Sequence, residues 1–164
     1  MERQQALEIG RDVIYREADL LDRWEWQAWS ELYTEACEFW CPAWLTEVKL
    51  GEDPTQTLSH FYITSRVALQ DRTWRIESGV APFAVPVPRT CHMISNVYVD
   101  SHDDTSISLR SHWHCLTYAR QATSSVYGFY DHHLVKEGDH WMIEKKQITL
   151  LNDHLEMPVD VNMV

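Results

Sequence analysis

Leu7, Gly10, Ile14, Ala18 and Leu21 recur every three or four residues near the start of the chain, with polar residues between them. That spacing lines them up on one stripe of a helix over residues 3 to 21. Asp22, followed three residues later by Glu25, has the form of a capping box. It predicts a second helix with Trp26, Trp29 and Leu32 or Tyr33 on its apolar side. Glu38-Phe39-Trp40-Cys41 then reads as a short strand stopped by Pro42. Residues 43 to 58 hold Gly51 and Pro54 among acidic and polar residues and read as a loop. Thr64 or Ser65 can cap a third helix that runs to about Glu77. From Gly79 to Pro88, Pro82, Pro86 and Pro88 remove backbone donors and fix φ, so this stretch is an extended arm.

After Arg89 the texture changes. Residues 90 to 100, 105 to 120, 124 to 136 and 140 to 152 alternate or are rich in branched and aromatic side chains, which predicts four strands. In the second of these, Ile107, Leu109, Trp113 and Cys115 point one way and Ser108, Arg110, His112 and His114 the other. Asp103-Asp104 and Gly138-Asp139 supply turns between strands. Helices followed by adjacent strands define an α+β fold with an antiparallel sheet, one domain over residues 1 to 164. Such a sheet wrapped around the N-terminal helices makes a cone with a pocket at its mouth, and a polar inner column such as His112 and His114 fits that shape.

Composition narrows the function classes. The chain has 164 residues, 45% hydrophobic and 24% charged, the make-up of an ordinary globular protein. Fourteen basic against 25 acidic residues give a net charge of −11, which disfavours nucleic acid and anionic membrane partners. No apolar run approaches the roughly 20 residues of a membrane span. Met1-Glu2-Arg3-Gln4-Gln5 does not open a signal peptide, so the sequence predicts a cytoplasmic protein. Cys37, Cys41, Cys91 and Cys115 are scattered and read as reduced, buried thiols. Eight tryptophans suit a large aromatic core or protein interfaces.

Three constellations could carry chemistry. His112-Trp113-His114 sets two imidazoles on one face of a strand, about 6–7 Å apart, and His132, His133 or Asp131 could complete a metal site; hydrogen-bonded sheet histidines are the plainer reading. Asp131 with His92 or His114 could act as a general acid–base pair of a stand-alone dehydratase or isomerase. Arg66, Arg72, Arg75 and Arg89, with Trp74 and Phe83, could form a surface that pairs with acidic groups on a partner, or simply a solvated face.

Several blocks in order carry a family likeness. They are Tyr15-Arg16-Glu17-Ala18-Asp19-Leu20-Leu21-Asp22, Glu38-Phe39-Trp40-Cys41-Pro42-Ala43-Trp44, Asp71-Arg72 through Arg75-Ile76, and Leu151-Asn152-Asp153. The most specific is Arg89-Thr90-Cys91-His92-Met93-Ile94-Ser95-Asn96-Val97. On these the chain resembles the beta subunits of aromatic-ring-hydroxylating dioxygenases, nearest the benzoate, toluate, halobenzoate and anthranilate group. The resemblance implies a cone-like fold of the nuclear transport factor 2 and cystatin type, with N-terminal helices packed in a curved, mainly antiparallel sheet. It implies a small structural subunit in an assembly of three alpha and three beta chains, with beta–beta contacts in a trimer. The alpha subunit would hold a Rieske [2Fe–2S] cluster and a mononuclear Fe(II), receive electrons from NADH through a reductase, and cis-dihydroxylate a benzoate-like acid. This chain lacks any Cys-x-His pair for such a cluster, so no catalytic and no metal-binding residue is carried over. Arg89, His92, Ser95 and Asn96 are expected at subunit contacts, where buried polar groups would find partners.

Overall fold

The computed structural model describes residues 1–80, 85–152, 154–155 and 158–164. Pro82 and Phe83 of the expected arm and Asp153 of the last family block lie outside the described residues. Helix α1 spans Arg3–Asp22 and buries Ala6, Gly10, Ile14, Glu17, Ala18 and Leu21. Of the stripe read from the sequence, Gly10, Ile14, Ala18 and Leu21 are buried and Leu7 is half-buried; Ala6, Leu20 and a glutamate, Glu17, join them. Helix α2 is short, Trp26–Ser30, and Tyr33 already begins strand β1, Tyr33–Pro42. The capping box does not form. No side chain caps α2, and Asp22 instead accepts hydrogen bonds from the His92 backbone N–H and ring. Helix α3, Arg66–Glu77, is capped by the Ser65 hydroxyl, which accepts the Ala68 N–H.

The segment expected to be a loop contains two short strands, β2 (Trp44–Thr46) and β3 (Lys49–Leu50), which pair as a small hairpin. A further strand, β4 (Ser59–Ile63), follows them. Four long strands complete the chain: β5 Arg89–His102, β6 Ser106–Ala119, β7 Ala122–Glu137 and β8 His140–Leu150. A 3₁₀ turn, Val161–Met163, lies buried at the end.

The main sheet has the order β4-β1-β8-β7-β6-β5. All neighbours are antiparallel except β1 and β8, which run parallel. Irregularities bend the long strands. One lies between Ser95 and Tyr98, where Asn96 takes φ +50, and another adds a residue to β8 between Ile143 and Lys145. The sheet stays open, with α1 against one face. Gly10 makes that packing close: a Cβ there would stand 2.5 Å from a Leu109 methyl. Helix α1 also runs along the border strand β5. Arg3 donates to the Val99 carbonyl (2.5 Å) and Asp22 accepts the His92 N–H (2.9 Å).

The apolar column Ile107, Leu109, Trp113 and Cys115 faces the helices and is buried. His112 and His114 therefore lie on the outer face. The expected polar inner column is overturned, because the apolar set of an alternating strand takes the buried side.

Candidate functional site

The inner face carries a set of ionisable side chains that the sequence reading missed. Glu17 projects from α1 into the core. His132 and Lys146 stand opposite each other on the inner faces of β7 and β8. Lys146 Nζ donates to Glu17 Oε1 at 2.9 Å, the Tyr33 hydroxyl donates to the same oxygen, and His132 Nε2 lies 3.2 Å from Oε2. The three charged or imidazole side chains are at most 3% exposed. Lys146 Nζ also sits 4.0 Å from the centre of the Tyr130 ring, which stacks on Trp113.

Burial alone would push the Glu17 pKa up. The Lys146 charge, with His132 and Tyr33, outweighs it and holds the carboxyl well below the usual carboxylate range. For Lys146 burial wins and its pKa falls, although Glu17 opposes the fall. Burial likewise lowers the His132 pKa. A neutral His132 facing an ionised carboxylate must carry its proton on Nε2, since the carboxylate can only accept. The set is internally satisfied at Glu17 and closed to solvent. What it does is bind α1 to β7 and β8.

A second buried contact ties α1 to β5. Asp22 Oδ1 lies 2.6 Å from His92 Nδ1, and the His92 side chain is 1% exposed. Burial tends to raise the Asp22 pKa, but the hydrogen bonds and charge of His92 bring it below the usual value. The pairs considered from sequence do not assemble. Asp131 stands opposite Arg110, whereas His114 stands opposite Tyr127, four residues along the strand. His92 faces inward and Asp131 outward.

The metal constellation is not brought together either. His112 and His114 share the outer face, His132 points inward to Glu17, and His133 meets Ser108 and Glu144. Among the described residues no three or more His, Cys, Asp or Glu side chains are placed to hold a metal ion. His112 Nδ1 is 3.0 Å from Asn96 Nδ2, and its ring lies 5.0 Å from that of Phe129. Burial raises the Cys37 thiol to about 11 and those of Cys41 and Cys115 to about 12, which makes them poor nucleophiles near neutral pH. Cys91 is exposed, contrary to the expectation that all four are buried.

The outer face of β5–β7 is unusually apolar for an exposed surface. Met93, Tyr98, Leu116, Tyr118, Tyr127 and Phe129 all stand exposed on it. A groove of about 580 Å³ lies there, lined by Asn96, Tyr98, Arg110, His112, Phe129 and others. Of the four residues expected at subunit contacts, Arg89, Ser95 and Asn96 are exposed on this side. The Arg89 guanidinium lies 4.9 Å from the centre of the Tyr118 ring. His92 is turned inward. The arginine surface fares differently, since Arg66 reaches Tyr33 O and Glu35, Arg72 binds Asp160, and Arg75 binds Asp71. Those charges are matched within the chain.

Helices packed in the curve of an open, mainly antiparallel sheet define the cone of nuclear transport factor 2-like proteins. An NTF2-like protein with a cystatin-like fold from Novosphingobium aromaticivorans superimposes with a TM-score of 0.66 over 93% of this chain and 86% of its own, at 16% identity. The family model for the ring hydroxylating beta subunit matches residues 16–157, and the chain belongs to that family. It is 34% identical to the beta subunit of toluate 1,2-dioxygenase from Pseudomonas putida, over 95% of this chain and 96% of the relative. The crystal structure of the beta subunit of benzoate 1,2-dioxygenase from Burkholderia mallei is 32% identical. It superimposes with a TM-score of 0.77 over 94% of each chain.

Proposed function

We propose that this chain is the structural small subunit of a dioxygenase acting on a benzoate-like aromatic acid, and that the chemistry resides on a larger partner chain. One observation carries the reading. Glu17, His132 and Lys146 are locked inside against one another, while large aromatic side chains stand out on an open sheet face. Enzymes need the reverse, with reactive groups reachable and apolar surface put away. Family membership and the toluate and benzoate relatives support the substrate class.

In this reading the partner is an alpha subunit holding a Rieske cluster and a mononuclear iron, with electrons from NADH through a reductase, in a cytoplasmic assembly of three alpha and three beta chains. The outer face of β5–β7 serves the contacts between beta copies. Arg89, Ser95 and Asn96 lie on it, and His92 acts indirectly by fixing β5 through Asp22. Co-expression with the cognate large subunit tests the proposal. The complex is expected to have equal numbers of the two chains, iron on the large chain alone, and turnover of a benzoate-type acid. Stoichiometric metal on the isolated small chain, or turnover by it, would overturn the reading.

A further inference from the structure

The sequence suggests a basic surface around α3, whereas the structure presents an acidic one. Val67, Gln70, Trp74 and Glu77 are spaced by three, four and three residues, so they form one stripe of α3. Most of this stripe is uncovered: Val67 is 73% and Trp74 57% exposed, while Gln70 reaches across to the Ser30 hydroxyl of α2 at 3.3 Å. Two depressions lie between it and the α2 region, of about 540 and 450 Å³, and they share Glu31. Val67 and Gln70 line one and Glu77 the other, which leaves Trp74 between them on the same stripe. Trp24, 44% exposed, lines the second.

The charges around this groove are one-sided. Glu25, Glu31, Glu35 and Glu77 line it against a single guanidinium, Arg66, which is spent on Glu35 and the Tyr33 carbonyl. Nearby Arg72 and Arg75 are matched by Asp160 and Asp71. Trp24 in a concave, negatively charged setting, with Trp74 exposed on the adjoining helix stripe, is the make-up of a binding hot spot with a charged rim. The geometry points to the α2–α3 groove as the docking site for the large subunit, through a segment that carries lysine or arginine and sets an apolar side chain against Trp74. This rests on the small-subunit reading and adds where the large chain sits: on the helix side, apart from the sheet face that serves the beta copies. Charge complementarity decides the occupant: a second copy, with 25 acidic against 14 basic residues and a net charge of −11, would meet the acidic groove with net repulsion, whereas a basic segment of the large chain is drawn to it.

The test is the affinity of the purified chain for its cognate large subunit, by titration calorimetry at low and high salt. Trp74→Ala is expected to weaken binding about 30-fold or more, the scale of a tryptophan hot spot. The pair Glu31→Lys and Glu35→Lys is expected to weaken it about tenfold at 50 mM salt and much less at 500 mM, where screening removes the electrostatic share. All three side chains are exposed, and the wild-type melting temperature in each variant confirms that the fold is kept. Wild-type affinity in Trp74→Ala and in the charge-reversed variant would overturn the assignment while leaving the small-subunit reading intact. Failure of the unaltered chain to bind the large subunit would overturn that reading itself, and the docking site with it.

Discussion

Replacing Glu17 by leucine removes the only carboxylate among the described residues that meets Lys146 and leaves a buried ammonium with aromatic rings for company. Two unit charges about 4 Å apart attract by ~4 kcal/mol at an effective dielectric near 20. Desolvating the two ions costs about as much, so the intact pair is close to neutral in net stability. Taking one partner away leaves the cost and removes the gain. Lys146 can escape only by losing its proton. From an ordinary pKa of 10.5, being neutral at pH 7 costs about 5 kcal/mol, which caps the penalty. Glu17→Leu should therefore destabilise the fold by about 3–5 kcal/mol. The double variant Glu17→Leu with Lys146→Met removes both ions and should recover most of that loss. Urea unfolding followed by tryptophan fluorescence reads both, since Trp29 and Trp113 are buried beside the set. A single variant within ~1 kcal/mol of wild type, or a double variant no better than the single, would refute the argument.

Two further outcomes follow from the same geometry. A Cβ on Gly128 would stand 1.8 Å from the Thr149 carbonyl oxygen across the β7–β8 pair. Gly128→Ala should thus force the two strands apart and cost more than the ~1–3 kcal/mol typical of overpacking, read as a shift in the urea midpoint. Stability should also fall on acidification. The folded pKa of His132 lies below its ordinary 6.5 and that of Glu17 below 4.5, so in both windows the unfolded chain binds more protons. Each contribution is complete above the unfolded pKa and is lost as pH drops through the folded one. The urea midpoint should decline as pH falls below ~7, and His132→Phe should flatten the part that begins below 6.5; an unchanged slope in that variant would count against the assignment.

Helix α1 was legible from its apolar spacing, α3 from the hydroxyl that caps it, and the four long strands from alternation or from their branched and aromatic side chains. The interior set was partly legible too. Glu17 falls on the α1 stripe three residues after Ile14 and four before Leu21, and a charge on a buried stripe asks for a partner. His132 shares a column with Tyr130 and Leu134, as strict alternation along β7 would indicate. Lys146 was hidden, because the extra residue in β8 shifts the phase of alternation between Ile143 and Lys146.

Other features depend on distant neighbours. Asp22 has the sequence context of a cap, yet His92, 70 residues away, takes its carboxylate. The early part of β1, Thr34-Glu35-Ala36-Cys37, has no strand-like pattern, and its position is set by β8, which arrives more than 100 residues later. Periodicity separated the two faces of β6 correctly. Choosing which face meets the helices needed only the rule that the apolar column goes inward. Surface charge was the least legible of all, since whether an arginine is free or matched depends on its neighbours in space.

The clasp of α1 along β5 has a bearing on how copies of this chain can come together. A border strand of 14 residues would otherwise be an open template for another polypeptide to zip onto, and here Arg3 and Asp22 occupy main-chain positions along it. The opposite border, β4, is only five residues long. Strand-to-strand accretion therefore finds little purchase at either side, and stacking has to be broadside, through side chains whose shape and charge can choose a partner. That is how a protein with so much bare aromatic surface can be sticky toward the right molecule without running on into fibres.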